Sequence, residues 1–421
     1  MTYFFAGIKG SGMTGLACIL HDMGNEVLGC DDAKVYSFTE EPLNERGIKC
    51  YKNADMLTSD MIFVYTAAIH EEHYAIKRAK ELGCKMYGYY EMIGELTKKY
   101  DAICIGGTHG KTTTTAMLGH IMQNTVGASY LIGDGTGVVD KDSNNFVIES
   151  CEFERHLLLY TPKYSVITNI DYDHVDCYKN IDEIVEVFQQ FADHTKYKVV
   201  ACGDDKNVRK IKSDKMVYYG FDDFNDIVAK NLELRSDGSS FDVYINNTFY
   251  GHFNLNIYGR HMVLDALACI GICYYEGVEH NDIIKYLNDF SGAKRRFQEE
   301  KVNDVVLVDD YAHHPNEVKT VLETARQKYP NKTLVAVLIP YTISRTQSFY
   351  KEFATDIEPA REKFEDYPGV TSDLIIDLCP NAEHISAETI DKLYKYDNAV
   401  IPFMGCKDPT WLIDAYKEGL K

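Results

Sequence analysis

The chain has 421 residues, enough at roughly 100–200 per domain for two to four domains with a sizeable core, and its 45% apolar and 26% charged content excludes disorder for most of it. Forty-four Lys and Arg against 64 Asp and Glu leave a net charge of −20, which argues against broad binding of nucleic acid or of an anionic membrane while allowing a local basic pocket for a phosphorylated ligand. No stretch approaches the roughly 18–20 apolar residues of a membrane span, the start YFFAGI carries no basic leader, and twelve scattered cysteines without a CxxC pair are the pattern of reduced thiols in a cytoplasmic enzyme.

Residues 1 to about 98 alternate short apolar runs with helical patterns: YFFAGI, a helix over MTGLACILHDMG, EVLGCD, MIFVYTAA, a helix at HYAIKRAKELG, and KMYGYY. This alternation predicts βαβ units and a parallel sheet. The pattern restarts at Tyr100 with YDAICIGG and continues through TTTTAMLGHIMQ, NFVIES, YSVITNI, a helix in DEIVEVFQQFADH, and KVVACGD. Residues 227–257 change to period-two alternation with turn signals at SDGSS and NN, which predicts an antiparallel patch. Helices in HMVLDALACIGICYYEG and NDIIKYLNDF lead to GAKRRF. A third series follows, from DVVLVDDYA through VKTVLETARQKY, LVAVLIP and NAVIPFMG to a last helix in WLIDAYKEGL. The expectation is three α/β domains, 1–98, 99–298 and 299–421.

The strongest motif is Gly106-Gly107-Thr108-His109-Gly110-Lys111-Thr112, between strand ICI and a helix opened by four threonines. Amides of a glycine turn at a helix N-terminus hold phosphate oxygens, a lysine supplies charge to the transferring phosphate, and a threonine hydroxyl serves magnesium. A strict P-loop places four residues between its glycine and the Gly-Lys pair; Gly107 leaves two, so a shorter relative is expected. Glu149 ends NFVIE and His174 follows YSVITNI by four residues. Ligands of open parallel sheets lie beyond the carboxyl ends of strands, so Thr112, Glu149 and His174 are expected to converge on one magnesium–triphosphate site. Gly10-Ser11-Gly12-Met13-Thr14-Gly15 fits GxGxxG, with Asp31 and Asp32 about twenty residues on, a weak pattern that indicates a nucleotide more firmly than NAD. Lys294-Arg295-Arg296 offers an arginine to the γ-phosphate, Asp309 to Pro315 forms a polar loop at a strand end, and Arg345 suits a carboxylate. Cys269 and Cys273 are core.

Together the stretches GIKGSGMTGLA, GTHGKTTTT, LIGDGTG, ESCEFERHLL, TNIDYDH, GAKRRF and VDDYAHHP resemble the Mur ligase family, in its alanine-adding branch, over nearly the whole chain. The resemblance implies a Rossmann-like N-terminal UDP-sugar domain, a central P-loop-like ATPase domain carrying the antiparallel patch, and a Rossmann-like C-terminal domain for the amino acid. It implies that ATP and Mg2+ drive amide formation in peptidoglycan precursor synthesis. The lactyl carboxylate of UDP-N-acetylmuramate attacks the γ-phosphate, and the amine of L-alanine then displaces phosphate from the acyl phosphate. By matching position, Lys111, Glu149, His174 and Arg296 are catalytic, and Thr112, Glu149 and His174 serve magnesium. Gly107, Thr108, His109, Gly110, Lys111, Thr112, Thr113, His261, Asp265, Arg296 and Asp310 bind ATP. Gly10, Ser11, Gly12, Met13 and Asp31 hold the UDP-sugar, and His313 and Arg345 the amino acid. No nucleic-acid or membrane partner is expected, and the chain is expected to act as a monomer or weak homodimer.

Departures concentrate in the third domain. Ile339-Pro340-Tyr341 stands where the family has Gln-Pro-His, Asp265 where it has Asn, and Gly405-Cys406-Lys407-Asp408 where it has Gly-Ala-Gly-Asp. SFYKEFATDI runs into EPAREKFEDYPGVTSD without an apolar strand, so the third sheet is expected to lack one. A sister ligase adding another amino acid or a peptide, and a non-ligating nucleotide-binding paralogue, remain open beside the alanine ligase. A NAD-dependent dehydrogenase rests on the first glycine motif alone.

Overall fold

The computed structural model describes residues 1–33, 39–174, 177–340, 343–354, 358–359, 373–379 and 382–420. They form three α/β layers, each around its own sheet. The first sheet is parallel, in the order Lys49–Tyr51, Glu26–Cys30, Thr2–Ala6, Ile62–Tyr65, Lys85–Gly88. Its central strand is almost wholly buried, which is why YFFA is a continuous apolar run and not an alternating one. The order reverses beside Thr2–Ala6, so the loop after this strand and the helix Ser11–Asp22 stand at the switch point where such sheets receive ligands.

That helix also joins the first layer to the second. A Cβ on Gly15 would stand 2.7 Å from Leu131 Cδ1 and 3.2 Å from the carbonyl oxygen of Gly135, so the last glycine of the GxGxxG stretch permits close packing of helix on the neighbouring layer. One apolar cluster accordingly runs from Leu16, Ile19 and Met92 into Ala102, Phe146 and Leu157.

The central sheet has ten strands. Its parallel core runs Met216–Gly220, Lys198–Cys202, Tyr164–Ile167, Asp101–Gly106, Asn145–Glu149, Ser129–Leu131. One edge is the antiparallel meander Ile227–Arg235, Gly238–Ile245, Thr248–Leu255, where the alternation in sequence places it. The helices Lys111–Gln123 and Arg260–Tyr275 pack together on one face, with Cys269 and Cys273 fully buried.

In the third sheet Ala399–Met404 lies at the centre, between Val305–Asp310 and the short strands Thr333–Leu334 and Val337–Leu338. The expected loss of a strand is corrected in part: Glu358–Pro359 pairs in parallel with Val337–Leu338 at the sheet edge. Backbone pairing needs no apolar side chains, and a proline without an N–H is tolerated at an edge. The stretch 360–372 falls outside the described residues. Two elements had no clear sequence signal. The helix Tyr89–Thr97 takes Glu91 as its capping acid, and the charged strand Gln298–Val302 forms by antiparallel pairing with Val305–Asp310. Among the described residues no helix is long and apolar enough to cross a membrane.

Candidate active site

The phosphate loop connects the buried strand Asp101–Gly106 to the helix Lys111–Gln123. Gly107 sits at φ 136°, and a Cβ there would stand 1.9 Å from Thr168 Oγ1, so only glycine lets the loop pass the adjacent strand. Hydrogen bonds from Asn169 to the loop close the turn: its Oδ1 accepts from the His109 amide at 2.9 Å and its Nδ2 donates to the His109 carbonyl at 2.9 Å. Gly110 caps the helix with no side-chain bond, so the first-turn amides point past the loop in the arrangement that suits an anion.

Lys111 lies at this helix start. Its Nζ donates to the carbonyls of Gly107 and Thr108 at 2.5 and 3.0 Å and stands 3.0 Å from Glu152 Oε2. The Glu152 side chain is 2% exposed and its other oxygen lies 3.5 Å from His174 Nε2. Burial alone pushes the Glu152 carboxyl up; Lys111 and then His174 outweigh it and hold it below the usual glutamate range. Burial likewise pulls the Lys111 ammonium down, and Glu152, with Cys151 and Glu149, outweighs that and raises it. Glu149, at the end of the next strand, accepts from Thr112 Oγ1 and from the Gly133 amide, both at 3.0 Å. His174 is held at φ 51°, a left-handed conformation uncommon for histidine, with Asp173 receiving its amide at 2.7 Å.

Thus Thr112, Glu149 and His174 do line one cleft, but in two subsets: Thr112 with Glu149, and His174 with Glu152. Glu152 is the group sequence reasoning missed. The available signal was a second glutamate three residues after Glu149 in ESCEFERHLL. Thr112, Glu149 and Glu152 are hard oxygen donors, which fits Mg2+, and histidine is the less usual member of the set.

Two clefts adjoin at the loop. The larger, about 910 Å3, takes walls from all three layers: Lys9 and Ser11 from the first, Lys111 and Glu149 from the second, Tyr311 and Asp408 from the third. The smaller, about 370 Å3, is lined by His261, Asp265, Thr113 and Asp310. His109, Gly110, Arg296 and Glu317 line both. Arg296 Nη2 stands 3.5 Å from Thr112 Oγ1, whereas Arg295 is spent on structure, donating to the carbonyls of Gly405, Cys406 and Lys407 and pairing with Asp309 at 3.2 Å.

Burial lowers His261 to about 4 and raises Asp265 to about 7, the latter opposed by Thr114, which donates to it at 3.0 Å, and by Arg296. Asp310 is raised to about 6 by burial against the pull of Arg296, and its oxygens accept from the amides of Phe297 and Ala312, both at 2.8 Å. It therefore fastens the joint between the second and third layers while facing the smaller cleft.

In the first layer Ser11 faces the larger cleft, while the Met13 side chain is buried in the core, leaving its backbone as the part near a ligand. A Cβ on Gly12 would meet Tyr89, and Gly10 precedes the helix with no side-chain cap. Asp31 accepts from the amides of Lys9 and Ala33, both at 2.9 Å, and shapes the turn. His313 lines the larger cleft with its Nδ1 donating to the Tyr311 carbonyl at 2.8 Å. Arg345 lies in the helix Ile343–Phe353, its side chain outside the described residues, as is Tyr341.

Three α/β layers meeting at one lysine-bearing phosphate loop form the architecture of a nucleotide-dependent ligase. Three family models match the chain: "Mur ligase family, catalytic domain" over residues 2–101, "Mur ligase middle domain" over 105–273, and "Mur ligase, glutamate ligase domain" over 295–393. The chain belongs to the Mur ligase family, and is an ATP-dependent, ADP-forming acid–amino-acid ligase using Mg2+. Among solved structures it is similar to UDP-N-acetylmuramate–alanine ligase (MurC) from Thermotoga maritima, at 22% identity over 100% of this chain and 99% of that one, TM-score 0.81. It is also similar to a murein peptide ligase from Psychrobacter arcticus (21% identity, 100% and 98% covered, TM-score 0.73). A pseudomurein peptide ligase type C from Methanothermus fervidus shares the fold at 18% identity, 100% of both chains covered, TM-score 0.66.

Proposed function

We propose that the protein joins L-alanine to the lactyl carboxylate of UDP-N-acetylmuramate, in the cytoplasm, as a step of peptidoglycan precursor synthesis. The observation that carries this reading is the larger cleft, which brings Ser11, Lys111 and His313 to one space from three layers. On this reading residues 1–98 bind the UDP-sugar through Ser11 and the open helix start behind it. Residues 99–298 bind ATP, and 299–421 present the amino acid through His313 and Arg345.

The smaller cleft takes the adenosine, with His261 neutral beside the base and Asp310 toward the ribose. Lys111 and the loop amides hold the β- and γ-phosphates, and Arg296, 3.5 Å from Thr112, reaches the γ-phosphate. Thr112, Glu149, Glu152 and His174 would hold the magnesium, which supplies charge screening where a carboxylate approaches a triphosphate. Lys111 and Arg296 neutralise the charge that develops as the lactyl oxygen bonds to phosphorus and ADP leaves. His313 lies on the side from which the amine attacks the acyl phosphate and expels phosphate. Arg345 clamps the acceptor carboxylate, and weakened selectivity for the methyl side chain follows from Tyr341 standing in the sequence where the family has histidine, since one small apolar difference is worth only about 1–3 kcal/mol.

The test is phosphate release from ATP with UDP-N-acetylmuramate and a panel of alanine, serine, glycine and a muramyl-type tripeptide, scored by kcat/KM. The tripeptide belongs in the panel because the fold likeness to peptide ligases spans the whole chain. Turnover with alanine ahead of serine and glycine by a modest factor supports the proposal. Preference for the tripeptide makes the chain a sister ligase, and turnover with none of these acceptors overturns the alanine reading.

A further inference from the structure

The first turn of the helix Pro315–Lys328 is not used by the reaction as described, yet it touches the phosphate loop directly. His314 caps this helix, Pro315 opens it, and Glu317 is its third residue. Glu317 Oε2 accepts from the amides of His313 and His314 at 3.0 and 3.2 Å and stands 3.3 Å from His313 Nδ1. Its Oε1 turns the other way and meets His109 Nδ1, in the phosphate loop, at 3.1 Å. The second ring nitrogen of His109 lies 3.4 Å from Asp171 Oδ2, and that oxygen also accepts from Asn316 Nδ2. The side chains of Glu317, His109, Asp171 and Asn316, with the backbone between Asn316 and Glu317 closing the ring, therefore tie the third layer to the loop two residues before Lys111.

We propose that Glu317 is a positioning residue that holds the amino-acid side of the cleft in register with the phosphate loop, through His313 on one oxygen and His109 on the other. It touches no reacting atom in this scheme; it sets where the third domain presents the acceptor relative to the phosphates. The inference rests on the proposed function for what lies on either side of the bridge, and on the side-chain ring alone for the bridge itself. His109, Asp171 and His314 also bring ligand atoms within 4.8 Å of one another, as a metal site does. Both ring nitrogens of His109 already face carboxylates, however, which is the arrangement of an imidazolium donating twice. The geometry thus favours a charge bridge over a metal.

Glu317→Gln separates the bridge from the helix cap. The Gln carbonyl oxygen can still accept from the amides of His313 and His314, but its NH2 group cannot accept from His109. Hydrogen–deuterium exchange on the full chain reads the bridge without reference to catalysis. In Glu317→Gln, amides of the loop 107–110 should exchange faster while the rest of the helix 315–328 is unchanged, and His109→Gln should speed exchange in the first turn of that helix. In the ligase assay each single variant should lower kcat by roughly ten- to a hundredfold, as a misplaced reactant does, and the double variant no further, because both act through one contact.

Exchange changes confined to the helix, or additive losses in the double variant, would overturn the proposal. So would a rise in Tm on adding Zn2+ that His314→Gln abolishes, since the cluster would then be a metal site. If the unmodified chain turns over no acceptor, the ligase reading fails and the exchange result alone decides the bridge.

Discussion

Lys111, the lysine of the phosphate loop, is ion-paired at 3.0 Å with Glu152, a carboxylate shut away beneath it. The lysine that the sequence assigns to the transferring phosphate is thus also the counter-charge of a buried acid. Breaking such a pair by removing one partner costs about 3–5 kcal/mol, because the other charge is left without compensation.

Lys111→Ala is therefore expected to abolish ATP-dependent turnover and also to lower thermal stability by several degrees. Lys111→Ala with Glu152→Gln should recover most of the stability and none of the activity. Thermal melts of these two variants beside phosphate release check this, and a single variant as stable as the parent would contradict the pairing.

On the proposed reading the metal donors divide by role. Glu149→Ala and Glu152→Gln should each raise the Mg2+ concentration for half-maximal turnover by at least about tenfold, as loss of a hard ligand does. Glu152→Gln should in addition release His174 from its 3.5 Å partner. Turnover that persists in EDTA would count against the whole donor set.

Asp265 offers a pH prediction. Its folded-state value, about 7 under burial, lies above that of an unfolded aspartate, so the folded chain holds the proton more tightly. Stability from this group is present below about pH 4 and is lost as pH rises to about 7. Asp265→Asn, whose amide oxygen can still accept from Thr114, removes that loss. Its Tm advantage over the parent should open between about pH 4 and 7 and then stay level; an advantage that closes with rising pH would refute the assignment.

His109 has the opposite chemistry and a later window. Burial pulls it down, but Asp171 and Glu317 outweigh burial and raise it to about 9. Its bridge is at full strength below the ordinary histidine value of about 6.5 and weakens as pH climbs through 9. The parent should lose stability between about pH 6.5 and 9, and His109→Gln should show a flatter profile there. Equal slopes in the two melts would remove the charge from the bridge.

Much of this architecture was legible in the sequence, for a physical reason. Strands buried on both faces, such as YFFA and AICI, must be continuous apolar runs, and an antiparallel patch with one face in water must alternate, as 227–257 does. Gly107 was legible because no side chain fits beside Thr168. The strand Gln298–Val302 was not, since its residues are mostly exposed and only pairing with a neighbour makes them a strand.

Local chemistry, then, was set by the sequence: a glycine turn with its lysine, a strand-end glutamate, a basic triplet at a joint. Which members of each group face the cleft was decided by tertiary structure. Arg295 and Arg296 are adjacent and alike, yet one is consumed by the carbonyls of residues 405–407 and the other reaches Thr112. Glu149 and Glu152 are three residues apart, yet one meets a hydroxyl and the other a lysine and a histidine. His109 and Glu317 are more than two hundred positions apart and meet at 3.1 Å. Charges act over a few ångströms, and only the packing of three sheets brings partners so distant in the chain within that range.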